Sequence, residues 1–119
     1  MLSDEISYKL LKILESNPSI NQRELSREMN ISLGKVNYCL KSLISRGMVK
    51  ARNFYSSNKK RTYSYLLTPA GIRQKSIITA RFLKQRIDEY ELLKQQIAEL
   101  SAEVNGHDEP PVDGRPEND

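Results

Sequence analysis

From Ala70 to Val104 the chain has no proline, and Gly71, near the start, is the only glycine in that stretch. Leu83, Tyr90, Ile97 and Val104 fall seven residues apart within it, with Leu93 and Leu100 between them. This is a heptad seam on one continuous helix. A helix of roughly 30 residues extends about 45 Å, more than the small domain formed by the rest of the chain can cover. The exposed apolar stripe therefore calls for a partner chain. The spacing predicts a long helix over 69–104 that pairs as a two-stranded coil through Leu83, Tyr90, Leu93, Ile97, Leu100 and Val104. Packing of the seam back on the preceding domain is the competing arrangement. Arg86 also falls on the seam and predicts a local loosening of the coil.

The chain of 119 residues has room for one compact domain besides this helix. Local signals divide residues 1–68 into three short helices and a hairpin. Ser3 is a good N-cap, Asp4 and Glu5 suit the positive end of a helix dipole, and Ile6, Leu10, Ile13 and Leu14 form one apolar stripe before Asn17 and Pro18 end the helix. Asn21 with Glu24 reads as a capping box for a second helix, whose inward residues are Leu25 and Met29. Asn30 tolerates the left-handed backbone that would end this helix, and Ile31 is expected to be a buried turn residue. Ser32 caps a third helix with Val36, Leu40 and Leu43 inward, Cys39 and Ile44 flanking, and Gly47 as its C-terminal stop. The period then changes to that of strands. Met48, Val49, Ala51 and Phe54 lead to a polar tip, and Tyr63, Tyr65 and Leu67 return from it. Thr68 and Pro69 open the long helix.

The distribution of charge narrows the partner. Between Glu28 and Asp88 there is no acidic residue, while Lys35, Lys41, Arg46, Lys50, Arg52, Lys59, Lys60, Arg61, Arg73, Lys75, Arg81, Lys84 and Arg86 all lie there. Cations with no carboxylate in their own segment need a polyanion, solvent, or acids from elsewhere in the fold. A basic stretch of this length favours nucleic acid over an acidic small molecule, with an anionic membrane surface as the alternative. No run of 18 apolar residues is present, so a membrane span is not expected. The single cysteine forms no intrachain disulfide, and the N-terminal residues lack a secretory pattern. The expected location is the cytoplasm.

Together these elements predict a mainly α fold with a small β-hairpin: a winged helix-turn-helix over 1–68, a long C-terminal coiled-coil helix over 69–104, and an acidic, proline-containing tail over 105–119 that is expected to be disordered. The third helix carries a polar face of Ser32, Gly34, Lys35, Asn37, Tyr38, Lys41 and Ser42, none of it acidic. An α-helix fits a major groove about 12 Å wide. Asn37 suits bidentate contact with adenine, Lys35 and Lys41 suit guanine or phosphate, and Tyr38 suits a thymine methyl or a phosphate. Ser32 acts first as a cap, and Gly34 permits close backbone approach. At the hairpin, Asn58, Lys59, Lys60 and Arg61 are positioned to reach an adjacent minor groove or its phosphates, with Arg52 on either face. Tyr63 and Tyr65 read as packing for the wing, with stacking on single-stranded bases as the alternative.

The stretch ELSREMNISLGKVNYCLKSLISRGMVKARNF, followed by TYSYLLTPAG, resembles the winged-helix domain of MarR-type regulators. It is most similar to the MarR-family EPS-associated transcriptional regulators, over roughly Asp4 to Leu100, with RFLKQRIDEYELLKQQI as the last matching segment. The resemblance implies a DNA-binding transcription regulator acting near exopolysaccharide genes. Larger MarR proteins carry an additional helix before the domain and two after it. This chain has one long helix after the wing, which leaves little room for a large effector pocket.

No catalytic constellation is evident. His107 is the only histidine, and with one cysteine there is no tetrahedral zinc set. Glu24 and Glu28 have an ordinary exposed helix spacing. No cofactor is expected. Cys39 reads as a buried, inert thiol, with a redox sensor as the alternative. The acidic tail is either inert or folds over the basic face in competition with DNA. The alternative to a DNA-binding regulator is a winged helix that serves as a protein-interaction module and recruits a partner through its coil. Such a module is expected to expose apolar residues on the third helix.

Overall fold

A computed structural model of the chain describes residues 2–55 and 61–106. The element order is α1 (Asp4–Ser16), α2 (Gln22–Met29), α3 (Leu33–Ser45), β1 (Val49–Tyr55), β2 (Arg61–Leu67) and α4 (Pro69–Asn105). The fold is mostly helical with one antiparallel hairpin, a winged helix-turn-helix followed by a long helix. The chain divides into two compact units between Phe82 and Leu83. The first turns of α4, with Gly71 and Ile78 buried, therefore lie within the winged-helix unit.

The helix ends follow their caps. The Ser3 hydroxyl accepts from the Ile6 amide at 3.1 Å. Asn21 and Glu24 form a reciprocal capping box, with bonds of 2.8 and 3.2 Å. Asn30 has φ 54° and allows the tight turn that joins α2 to α3. The amide of Ile31 reaches back to the Ser26 carbonyl at 3.2 Å, and that of Asn30 to the Arg27 carbonyl at 3.3 Å. Ser32 caps α3 by accepting from the Lys35 amide at 3.1 Å. Gly47, at φ 73°, closes α3: its amide donates to Ile44 and the Met48 amide to Leu43, both at 3.0 Å. This is the Schellman pattern, which favours glycine at the left-handed position.

The core of the first unit is built from Leu10, Leu11, Leu14, Leu25, Val36, Cys39, Leu40 and Leu43, all below 2% exposure. Two sequence expectations change here. Leu11 joins the centre of the core while Ile6 and Ile13 are only half-buried, because α1 is covered over a wider arc than one stripe. Ile31 is half-buried rather than buried. The hairpin pairs Val49 with Leu67, Ala51 with Tyr65, Asn53 with Tyr63 and Tyr55 with Arg61. The Tyr65 amide donates to the Pro18 carbonyl at 2.9 Å, fixing the base of the wing to the segment after α1.

The start of α4 is joined to the end of α3. The Thr68 amide donates to the Met48 carbonyl at 3.1 Å. The Thr68 hydroxyl donates to the Gly47 carbonyl at 2.6 Å and accepts from the Gly71 amide at 3.0 Å. A Cβ at position 71 would lie 2.0 Å from the Met48 carbonyl oxygen, so only glycine fits this approach. Farther along, Arg81 grips Asp4 with two bonds of 2.9 Å. Lys75 pairs with Glu15 at 3.0 Å, and the rings of Tyr8 and Phe82 meet at 5.5 Å.

Candidate nucleic-acid interface

Burial of Val36, Cys39, Leu40 and Leu43 fixes the rotation of α3. With that face inward, the helical period turns Gly34, Tyr38 and Lys41 outward along one stripe, and all three are exposed. Lys35 is also exposed, and its ammonium lies 5.8 Å from the centre of the Tyr38 ring, a cation–π arrangement that holds both side chains on the surface. Ser32 is exposed, with its hydroxyl engaged as the cap.

Asn37 differs from its neighbours. It is half-buried, on the side of α3 that faces the wing, and its amide nitrogen donates to Gln22 Oε1 at 3.3 Å. Gln22 in turn donates to the Tyr65 hydroxyl at 3.3 Å. A chain of three polar side chains thus ties the N-terminus of α2, the middle of α3 and the return strand of the wing. Asn37 keeps a second N–H and its carbonyl oxygen beyond this bond, enough for a bidentate contact. In the sequence Gln22 follows the Asn21 cap with no pattern that marks it.

The hairpin register decides the faces of the wing. Val49, Ala51 and Asn53 share one face with Tyr63, Tyr65 and Leu67, because directly paired residues lie on the same side. Lys50 and Arg52 lie on the other, both exposed. Tyr65 is 7% exposed and packs the wing, as expected, whereas Tyr63 is 45% exposed and stacks on it at 6.4 Å between centroids. Arg61 opens β2. Asn58, Lys59 and Lys60 lie outside the described residues, as do His107 and the tail beyond it.

Between α3 and the wing a cleft of about 580 Å³ opens, lined by Gln22, Asn37, Lys41, Ile44, Ala51, Tyr63 and Tyr65 among others. Its volume falls within the range of small-molecule sites.

Cys39 sits at the centre of the core rather than on its flank, with no exposure. Burial pushes its thiol above the ordinary value, against the smaller opposing effect of Lys35. Both observations agree with an inert thiol. Ile44, expected as a flank of the core, is 36% exposed and lines the cleft. Among the described residues no cluster of His, Cys, Asp or Glu is arranged to hold a metal, and no helix is long and apolar enough to cross a membrane.

In the second unit Leu83, Ile87, Tyr90, Leu93, Ile97 and Leu100 are 50–61% exposed, and Val104 is half-buried. Ile87, marked by the 83–87–90 spacing, widens this exposed stripe, and Arg86 pairs with Glu89 at 2.9 Å.

Residues 3–50 match a family model described as winged helix-turn-helix DNA-binding, which covers α1 to α3 and the entry to the wing. The fold is similar to that of a PadR-like transcriptional regulator from Bacillus cereus, at TM-score 0.64 and 18% identity over 74% of this chain and 90% of that one. It is also similar to the adhesin competence repressor of Streptococcus pyogenes, at TM-score 0.53 and 20% identity over 85% and 78%. A MarR-family protein of Mycobacterium tuberculosis in complex with salicylic acid gives TM-score 0.52 and 20% identity over 79% and 74%. At these identities the likeness is one of fold. No curated protein matches the chain by sequence.

Proposed function

We propose that the protein is a dimeric regulator of transcription that binds duplex DNA sequence-specifically, with α3 in the major groove and the wing against the backbone or the adjacent minor groove. The observation that carries this reading is the outward face of α3. Gly34, Lys35, Tyr38 and Lys41 are exposed together, and neither α3 nor the hairpin contains a carboxylate. The match of residues 3–50 to a DNA-binding winged-helix model supports it, as do regulators among the similar structures. In this reading Asn37 reads a base, Lys35 and Lys41 contact guanine or phosphate, Tyr38 contacts a thymine methyl or a phosphate, and Ser32 and Gly34 let the helix end approach closely. Arg52, Asn58, Lys59, Lys60 and Arg61 contact the backbone from the wing. The exposed seam of α4 joins two copies. A cytoplasmic location and target genes near exopolysaccharide clusters complete the proposal, the latter on the family resemblance alone. The reading requires no catalysis.

A second reading, a protein-interaction module, is favoured by the exposure of Leu33 (47%) and Ile44 (36%) on α3. Apolar side chains also meet thymine methyl groups in the major groove, so these residues fit the first reading as well. The test is a salt-titrated binding assay on DNA upstream of the protein's own gene, against a scrambled duplex. Wild type should prefer the upstream DNA. Asn37→Ala should relax that preference, whereas Lys60→Ala should weaken both duplexes alike. Equal, salt-insensitive or absent binding by wild type would favour the interaction module.

A further inference from the structure

Resting on the reading that α4 joins two copies, we infer that the second copy packs antiparallel, centred between Leu93 and Lys94. The seam residues are spaced almost symmetrically about that point. Turning a second helix end for end there sets Leu83 opposite Val104, Ile87 opposite Leu100, Tyr90 opposite Ile97, and Leu93 beside its own copy. Every apolar residue of the stripe meets an apolar residue of the partner, although the 3–3 step at Ile87, Tyr90 and Leu93 breaks a regular heptad.

Charge chooses this orientation over the parallel one. In a parallel, in-register pair each seam residue lies beside its own copy. By the helical period Arg86 falls on the seam with Tyr90 and Leu93, so two guanidinium groups would meet within the apolar stripe. The ion pair of Arg86 with Glu89 at 2.9 Å lies within one helix and is solvent-exposed, the weak kind that does little to offset such crowding. In the antiparallel pair Arg86 lies opposite Ser101 of the other copy, Glu89 opposite Ala98 and Glu91 opposite Gln96. Two like-charge appositions are left: Asp88 with Glu99, which by the helical period fall on the face away from the seam, and Lys94 beside its own copy at the edge of the seam, where its long side chain extends to solvent.

The arrangement also sets a distance. Phe82 would lie opposite residue 105, so the two copies of Phe82 are about 35 Å apart along the pair at 1.5 Å per residue.

Disulfide trapping in the full chain tests the orientation, with sedimentation reading the dimer independently. Leu83→Cys and Val104→Cys are made separately, and one is ¹⁵N-labelled so that mass identifies each cross-linked species. Wild type is the control, since Cys39 is buried. The antiparallel pair gives a cross-link only when the two variants are mixed, and it joins position 83 to position 104. A cross-link within Leu83→Cys alone, in a chain that sediments as a dimer, means parallel pairing and overturns the inference while sparing the dimer. A dimer that cross-links in neither way also overturns it, because the seam is then not the interface. A wild-type chain that sediments as a monomer at micromolar concentration overturns the dimer reading itself.

Discussion

Gly71→Ala inverts the usual expectation for a glycine inside a helix. Replacing an exposed helical glycine with alanine stabilises by about 1 kcal/mol, since alanine is the better helix former. At position 71 the added methyl would sit 2.0 Å from the Met48 carbonyl oxygen, 2.9 Å from its carbon and 3.3 Å from its Cα. These are backbone atoms, so no side-chain rotation relieves the contact. The start of α4 must move by more than about 1 Å to restore van der Waals separation. That movement strains the Thr68 bonds to Met48 and Gly47. Overpacking costs about 1–3 kcal/mol, and two weakened hydrogen bonds add about 1 kcal/mol each. Set against the propensity gain, the net is a destabilisation of about 2–4 kcal/mol, or a fall in Tm of roughly 10 °C or more for a domain this size. Gly34→Ala is the matched control, because nothing lies within 4 Å of a Cβ there. It should leave stability unchanged or raise it by up to about 1 kcal/mol. Thermal and urea unfolding followed by circular dichroism read both. A Gly71→Ala variant as stable as wild type would refute the close approach of α4 to Met48 and the account of how the long helix is anchored.

Other outcomes follow from the same contacts. Lys41→Gln should reduce the steepness of log affinity against log salt by about 0.9 if Lys41 neutralises one phosphate, measured by anisotropy with a labelled duplex; an unchanged slope would remove Lys41 from the interface. The Arg81 guanidinium holds the Asp4 carboxyl below its ordinary value. A depressed carboxylate pKa adds stability that is present above the unfolded value and disappears as pH falls through the folded one. The Tm gap between wild type and Asp4→Asn should therefore be widest near neutral pH and close below about pH 4. A gap that persists in strong acid would assign the effect to packing. Cys39, buried and with its thiol raised, should resist a thiol reagent at pH 7 in the folded protein and react on unfolding, with a rate that tracks the unfolded fraction. Rapid labelling of the native protein would reopen the sensor reading.

What was legible in the sequence is what is decided locally. Ser3, the Asn21–Glu24 box, Asn30, Ser32, Gly47 and Thr68 each act on backbone groups within a few residues, so their residue types alone mark the helix limits. The strand period likewise identified the hairpin. Contacts between distant segments were not legible. Gln22 reaches Tyr65 across 43 residues, and Arg81 reaches Asp4 across 77. Neither partner carries a local sign of the other. A polar residue on a polar face gives no hint of a partner on α2, so the pattern alone turns Asn37 fully outward. A single stripe fits a helix covered on one side only, whereas α1 is covered over a wider arc that takes in Leu11. Ile87 falls outside a count by sevens and joins the exposed stripe only by its four-residue step from Leu83. Gly71 likewise carries no local sign of the Met48 carbonyl that lies beside it.

An amide-resolved NMR titration with duplex DNA carrying the preferred upstream site tests the central claim most directly. The account predicts that the largest shift changes fall on Ser32–Lys41 and on the hairpin, with those of α1 small, and that they diminish as salt is raised. Changes concentrated on α1 while α3 stays silent, or none at all with DNA in excess at low salt, would contradict it.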